Sequence, residues 1–227
     1  MQNNKSIVST LTIGYFIIAF LEIFSEYEKY KPIIFIFKPL ITITLISLYL
    51  VSSTKKDKVF LIVLLTSLLT NILFIPGTAN YLLYAIIVFT IHRIVVIYLI
   101  IKLQKINDLI PVLLGTAPFL LIFFYLFMET TDIPESNYYI LIVQNILISL
   151  FAGLSLACYV MQDNKQNSIL LISALLFVML QFTVFIEKYY LTDEYQYLFR
   201  PLAMSLNTLA FFSFYKYVVT AETKQQL

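Results

Sequence analysis

Eight apolar runs, each close to the length of a membrane-crossing helix, dominate this chain. They cover about residues 7–24, 33–52, 59–75, 81–101, 109–128, 138–160, 169–186 and 198–218, and polar, charged or proline residues close each one. A helix needs roughly 20 predominantly apolar residues to cross the hydrocarbon core of a bilayer. The connecting segments are short, so neighbouring helices are expected to run antiparallel. The expectation is an all-α integral membrane protein, about eight transmembrane helices in one bundle, forming a single domain over residues 1–227 with no soluble part.

Composition agrees with that reading. Of the 227 residues 60% are hydrophobic and 12% charged, and the mean hydropathy is +0.88. A water-soluble domain of this length needs more polar surface to cover its core. The net charge of +2 is too small to point to nucleic acid, and no basic cluster is interleaved with aromatics. Lys55, Lys56 and Lys58 sit between two apolar runs and read as a short cytoplasmic loop. The single cysteine, Cys158, excludes an internal disulfide. The first run follows one lysine, Lys5, with no small-residue cleavage site before the charged stretch 22–31, so it is expected to be retained as a span. In a bacterium the chain would reside in the inner membrane.

Lysine and arginine concentrate on the cytoplasmic side of membrane proteins. With the N-terminus inside, that side carries Lys5, Lys55, Lys56, Lys58, Lys102, Lys105, Lys165, Lys216 and Lys224, and the other side carries Lys29, Lys31, Lys188 and Arg200. The balance of nine to four predicts both termini in the cytoplasm.

Polar side chains inside spans are costly unless partnered, which makes each a functional candidate. These are Lys38, Asn71, His92, Arg93, Gln144, Asn145, Gln181 and Asn207. At about 1.5 Å per residue, Lys38, Asn71, Gln144 and Gln181 lie roughly 6–9 Å from the outer end of their spans, and His92 and Asn207 about 14–17 Å. Four helices thus bring a hydrogen-bonding group to one level. The expected result is a polar pocket open to the outer leaflet, with His92 near its floor. The plainer alternative is that the amides only join helices, at about 0.6–2 kcal/mol each, and that Lys38 snorkels to the interface.

The thirteen acids all fall in loops or at span ends, with Glu22 and Glu187 nearest to an interior and Glu22 expected to be solvated. No set of His, Cys, Asp and Glu has metal-ligand spacing, no nucleophile signature surrounds Ser67 or Ser173, and four glycines form no phosphate loop. No metal or cofactor is expected.

The polar positions, read in order, resemble the YhhN family of eight-span membrane proteins, which includes the lysoplasmalogenases. The residues that carry the likeness are Lys38-Pro39-Leu40 in span 2, Ser67-Leu68-Leu69-Thr70-Asn71 in span 3, and Phe89 three residues before His92 in span 4. They continue with Gln144 and Ile148-Ser149-Leu150-Phe151 in span 6, and Ser173-Ala174-Leu175-Leu176-Phe177, Leu180-Gln181 and Lys188-Tyr189 around span 7. Order, spacing and span count agree over about residues 33–190. The resemblance implies a pocket for a single-chain ether lysophospholipid and hydrolysis of its vinyl ether bond. The family's two intramembrane aspartates, however, correspond here to Asn71 and Gln181, and its span-6 tyrosine to Gln144. Vinyl ether cleavage needs an acid to protonate the alkenyl carbon and a negative charge to stabilise the oxocarbenium ion, and a neutral amide does neither well.

The expected catalytic positions are therefore His92, as the remaining acid, with Asn71 and Gln181 at the aspartate positions and Glu22 a second-choice acid. Lys38, Gln144 and Arg93 are the expected substrate-binding residues, Lys38 on the phosphate. Two readings stay open at this point: a hydrolase of lysoplasmalogens, or a non-catalytic lipid-binding or small-molecule transport protein. The partner in either case is a membrane lipid, and no nucleic acid is expected.

Overall fold

A computed structural model describes residues 2–104, 106, 108–130, 135–191 and 196–224. Among them run eight α-helices: α1 (Gln2–Tyr27), α2 (Lys31–Ser52), α3 (Lys58–Phe74), α4 (Ala79–Leu103), α5 (Ile110–Met128), α6 (Glu135–Met161), α7 (Lys165–Tyr189) and α8 (Gln196–Lys224). Each apolar run falls on one helix. Several helices reach further into their polar flanks than hydropathy alone places them, α1 to Tyr27 and α8 to Lys224. Lys105, counted above on the cytoplasmic side, lies outside the described residues.

Six of these helices (α1, α2, α4, α5, α6 and α7) are long and apolar enough to cross a membrane, and α3 is a shorter apolar helix of 17 residues. Their outward faces carry large apolar side chains, such as Phe20 on α1, Leu121 on α5 and Tyr139 on α6, all more than half exposed. A soluble monomer does not display apolar surface on this scale. The chain is built as a helical membrane protein.

The helices close a ring. α1 packs on α2, α2 on α3 and α3 on α4; α6 then takes the place beside α4, followed by α7 and α8, and α8 returns to α1. α5 stands outside and packs on α6. Two of the four glycines make that contact. A Cβ on Gly115 would come within 2.9 Å of the Gly153 carbonyl oxygen, and one on Gly153 would collide with Thr116, backbone included. Small residues are how membrane helices approach this closely.

Inside the ring, one half is an apolar core rich in aromatic rings. Phe177 packs edge-on to Phe211 at 5.1 Å between centroids, and Tyr49 to Phe60 at 4.6 Å, arrangements that aromatic quadrupoles favour. Cross-links fix neighbouring helices: the Tyr15 hydroxyl donates to the Thr208 carbonyl (2.9 Å) and Ser173 to the Ala210 carbonyl (3.0 Å). At the end carrying the α2–α3 connection, buried Glu222 accepts from Tyr49 and Ser53, each at 2.6 Å. There Asp57 caps α3 through Val59 N–H and pairs with Lys102 at 2.6 Å. Among the described residues no buried side-chain polar atom at this end lacks a partner. The opposite end is different.

Candidate functional site

A cavity of about 190 Å³ occupies the end of the ring where α1 joins α2, α3 joins α4 and α7 joins α8. Its walls come from α2, α3, α4, α6, α7 and α8, with Gly77 of the α3–α4 turn at the mouth. Gly77 has φ +69°, a left-handed conformation that glycine adopts without a steric cost. The mouth also carries Lys188, Arg200 and Glu187. Arg200 donates to the Glu187 carboxylate at 2.6 Å.

Lys38, Asn71, Gln144, Gln181 and Asn207 all line this cavity, among apolar residues such as Ile86, Phe89, Leu180, Val184 and Phe211. Counting residues along each helix placed four of these groups at one depth; the ring turns them toward one space. Their hydrogen bonds decide what they present to it. Asn71 donates one amide hydrogen to Thr42 (3.0 Å). Gln144 spends its amide nitrogen on α4, donating to the Ile86 carbonyl and to Thr90, each at 3.1 Å. Gln181 accepts a bond from Arg93 at 2.6 Å, so its carbonyl oxygen is occupied and its NH₂ group remains.

Three expectations need correction. His92, placed by depth at the pocket floor, does not line the cavity. It is 2% exposed, and its Nδ1 lies 3.1 Å from the Val63 carbonyl and 3.2 Å from Thr66 Oγ1 on α3. A carbonyl can only accept, so the network assigns the proton to Nδ1. The ring lies between Phe89, stacked at 5.6 Å, and Phe211 at 5.5 Å. His92 ties α4 to α3. Arg93, expected to bind substrate, also stands behind the wall. It donates to the Gln144 main-chain carbonyl at 3.0 Å and to Gln181, and its guanidinium lies 4.4 Å from the centre of the Phe89 ring.

The third correction concerns charge. Glu22 is not solvated: its exposure is 0%, and among the described residues neither of its oxygens has a hydrogen-bond donor. It lies 4.0 Å from Lys38 Nζ, which donates to Glu26 at 2.7 Å. Glu22 and Glu26 sit one helical turn apart on α1 and so share the face that meets α2. Lys38 is therefore an ion-paired residue rather than a free cation or a snorkelling one. Asn145, the remaining amide of the polar set, is buried outside the cavity, and its Oδ1 has no partner among the described residues.

The cavity thus offers amide hydrogens and oxygens halfway down, cations and one carboxylate at its mouth, and apolar walls between them. Of the acids, Glu187 lines it, at the mouth and already paired. Among the described residues no group of three or more His, Cys, Asp or Glu is placed to hold a metal ion. No protein-family model, no curated protein and no solved structure matches this chain.

Proposed function

We propose that this chain is an eight-span, YhhN-like membrane protein that binds a single-chain ether lysophospholipid in the cavity at its outer end and does not hydrolyse it. The observation that carries the proposal is the convergence of Lys38, Asn71, Gln144 and Gln181, from four helices, on one amphipathic cavity. The two positions where the family carries aspartates face the same space.

Size supports the reading. A cavity of about 190 Å³ has room for several waters, and so for the polar part of one glycerophospho head group. The chain of such a lipid has apolar wall beside it and bilayer beyond. The mouth presents both signs of charge, as a zwitterionic head group requires. Chemistry supports the non-hydrolytic half of the proposal: the aspartate positions are amides, and His92 reaches α3 instead of the cavity.

Eight spans with both termini cytoplasmic place the cavity mouth at the outer leaflet. α8 has 29 residues, about 43 Å at 1.5 Å per residue, and α3 about 26 Å. α8 crosses beside α1 and α7 despite its charges, because Glu222 is partnered inside the bundle and Lys216 packs over Phe212 and Tyr215.

The test is native mass spectrometry of the purified protein with an alkenyl lysophosphatidylethanolamine, run beside an aldehyde-release assay. Retained lipid and no aldehyde is the expected result. Aldehyde release would overturn the non-catalytic reading, and the absence of any bound lipid would overturn the cavity's assignment.

A further inference from the structure

Among the described residues Arg93 is a buried cation without a counter-charge. Its exposure is 5%, and its hydrogen-bond acceptors are two neutral oxygens, the Gln144 carbonyl and Gln181 Oε1. Among the described residues no carboxylate stands within the 4.0 Å of an ion pair. Burying a guanidinium in this way is costly unless an opposite charge comes near; two neutral acceptors and the face of Phe89 offset part of that cost, and an anion beside them would offset more of it.

Gln181 is the group through which an anion would meet that charge. Arg93 holds its oxygen, so the amide is fixed with the NH₂ group directed away from Arg93, and Gln181 lines the cavity. Donation to Arg93's partner oxygen also polarises the amide, which strengthens its own N–H groups as donors. Lys38, the cation that sequence reasoning assigns to a phosphate, is poorly placed for that role. Glu26 contacts its ammonium at 2.7 Å and Glu22 lies at 4.0 Å, so an anion brought to Lys38 also approaches two carboxylates.

We infer that Gln181, oriented and backed by Arg93, forms a phosphate-recognition subsite on the α4/α7 wall of the cavity, and that Lys38 does not bind the phosphate. The inference rests on the proposed function for the identity of the occupant, but the subsite chemistry is that of any phosphate oxygen. The phosphate of a lysolipid head group and a free phosphate compound share it.

The experiment measures binding of four probes to the full-length protein in lipid nanodiscs: a 1-O-alkyl lysophosphocholine, the matching 1-O-alkylglycerol, glycerophosphocholine and inorganic phosphate. The wild type is expected to prefer the phosphate-bearing lipid over the alkylglycerol by about ten-fold, the scale of one charge-assisted hydrogen bond. Gln181→Leu and Gln181→Glu are expected to abolish that preference. Helical circular dichroism and a monodisperse elution profile matching the wild type serve as proof that the variants fold.

A preference that survives Gln181→Leu and disappears in Lys38→Met would overturn the subsite. Equal binding of the two lipids by the wild type would also overturn it, while leaving the lipid cavity intact. Gln181-dependent binding of glycerophosphocholine or inorganic phosphate without binding of either lipid would uphold the subsite and refute the lipid assignment.

Discussion

Replacing Lys38 with Met tests the charge cluster between α1 and α2. Methionine keeps most of the side-chain length but leaves Glu22 and Glu26 buried, 0% and 7% exposed, with their cation gone. Two unit charges 4 Å apart at an effective dielectric of about 20 interact by about 4 kcal/mol. The shorter Lys38–Glu26 contact is stronger still, and the cost of desolvating the lysine, relieved by the substitution, offsets part of both. Removing one partner of a buried ion pair costs about 3–5 kcal/mol in practice, and that is the expected loss here. The assay is reversible unfolding in mixed dodecylmaltoside and SDS micelles, read by circular dichroism. Adding Glu22→Gln and Glu26→Gln to Lys38→Met removes the stranded charges and should recover most of the loss, since well-packed neutral replacements of buried ion clusters are often tolerated. If Lys38→Met unfolds within about 0.5 kcal/mol of the wild type, the surface range for point substitutions, the cluster is not buried between α1 and α2 as described. A triple variant no more stable than the single one would show that packing, and not charge, fixes the α1–α2 contact.

Four further outcomes follow from the same structure. Gly153→Ala should cost about 1–3 kcal/mol, because its Cβ meets the backbone of Thr116, whereas Gly14→Ala, with open space around it, should be neutral or slightly stabilising in the same unfolding assay. His92→Ala should lower stability by about 2–4 kcal/mol and leave lipid affinity within about two-fold, since His92 joins α4 to α3 outside the cavity; loss of lipid binding by a folded variant would return it to the site. At Asp57, burial opposes ionisation, but the Lys102 hydrogen bond and charge and the Val59 N–H together hold the carboxyl below its ordinary value of 3.8. Its pairing therefore stabilises the fold above that value and is lost as pH falls through the lowered one, so wild type and Asp57→Asn should differ in unfolding midpoint near neutrality and converge in acid. Finally, a cysteine placed at Lys29 in a Cys158→Ser background should react with an impermeant maleimide in intact cells and one at Lys56 only after lysis; the reverse pattern would invert the proposed topology.

The regularity of the helix explains what could be foreseen. Hydropathy located the helices because lipid demands a continuous apolar length, and a fixed rise per residue gave the depth of Lys38, Asn71, Gln144 and Gln181 before any packing was known. Direction around the helix axis was not legible. Phe89 and His92 are three residues apart, yet Phe89 lines the cavity and His92 turns to Val63. That outcome depends on which helices flank α4, and the ring order, with α6 and not α5 beside it, is a property of tertiary packing. Arg93 was assigned to the cavity rather than behind its wall for the same reason. Glu22 was misjudged for another. Hydropathy ended the first apolar run near residue 24, two residues past Glu22, so that acid was expected at a solvated boundary. The helix continues to Tyr27, and a cation on α2 makes burial of that last turn affordable. The signal was present in the i, i+4 spacing of the two glutamates opposite Lys38.

Ring closure has a consequence for biosynthesis. The wall of the cavity that holds Arg200, Met204, Asn207 and Phe211 belongs to α8, and α8 seals the gap between α7 and α1. The ribosome makes α8 after all the other walls. Until it is inserted, α1 has lost a neighbour, and Tyr15 lacks the Thr208 carbonyl that receives its hydroxyl. On the proposed eight-span arrangement, the nascent protein is an open crescent until α8 packs against α7 and α1. Larger side chains at the buried positions Ala203 or Ala210 would hinder that closure.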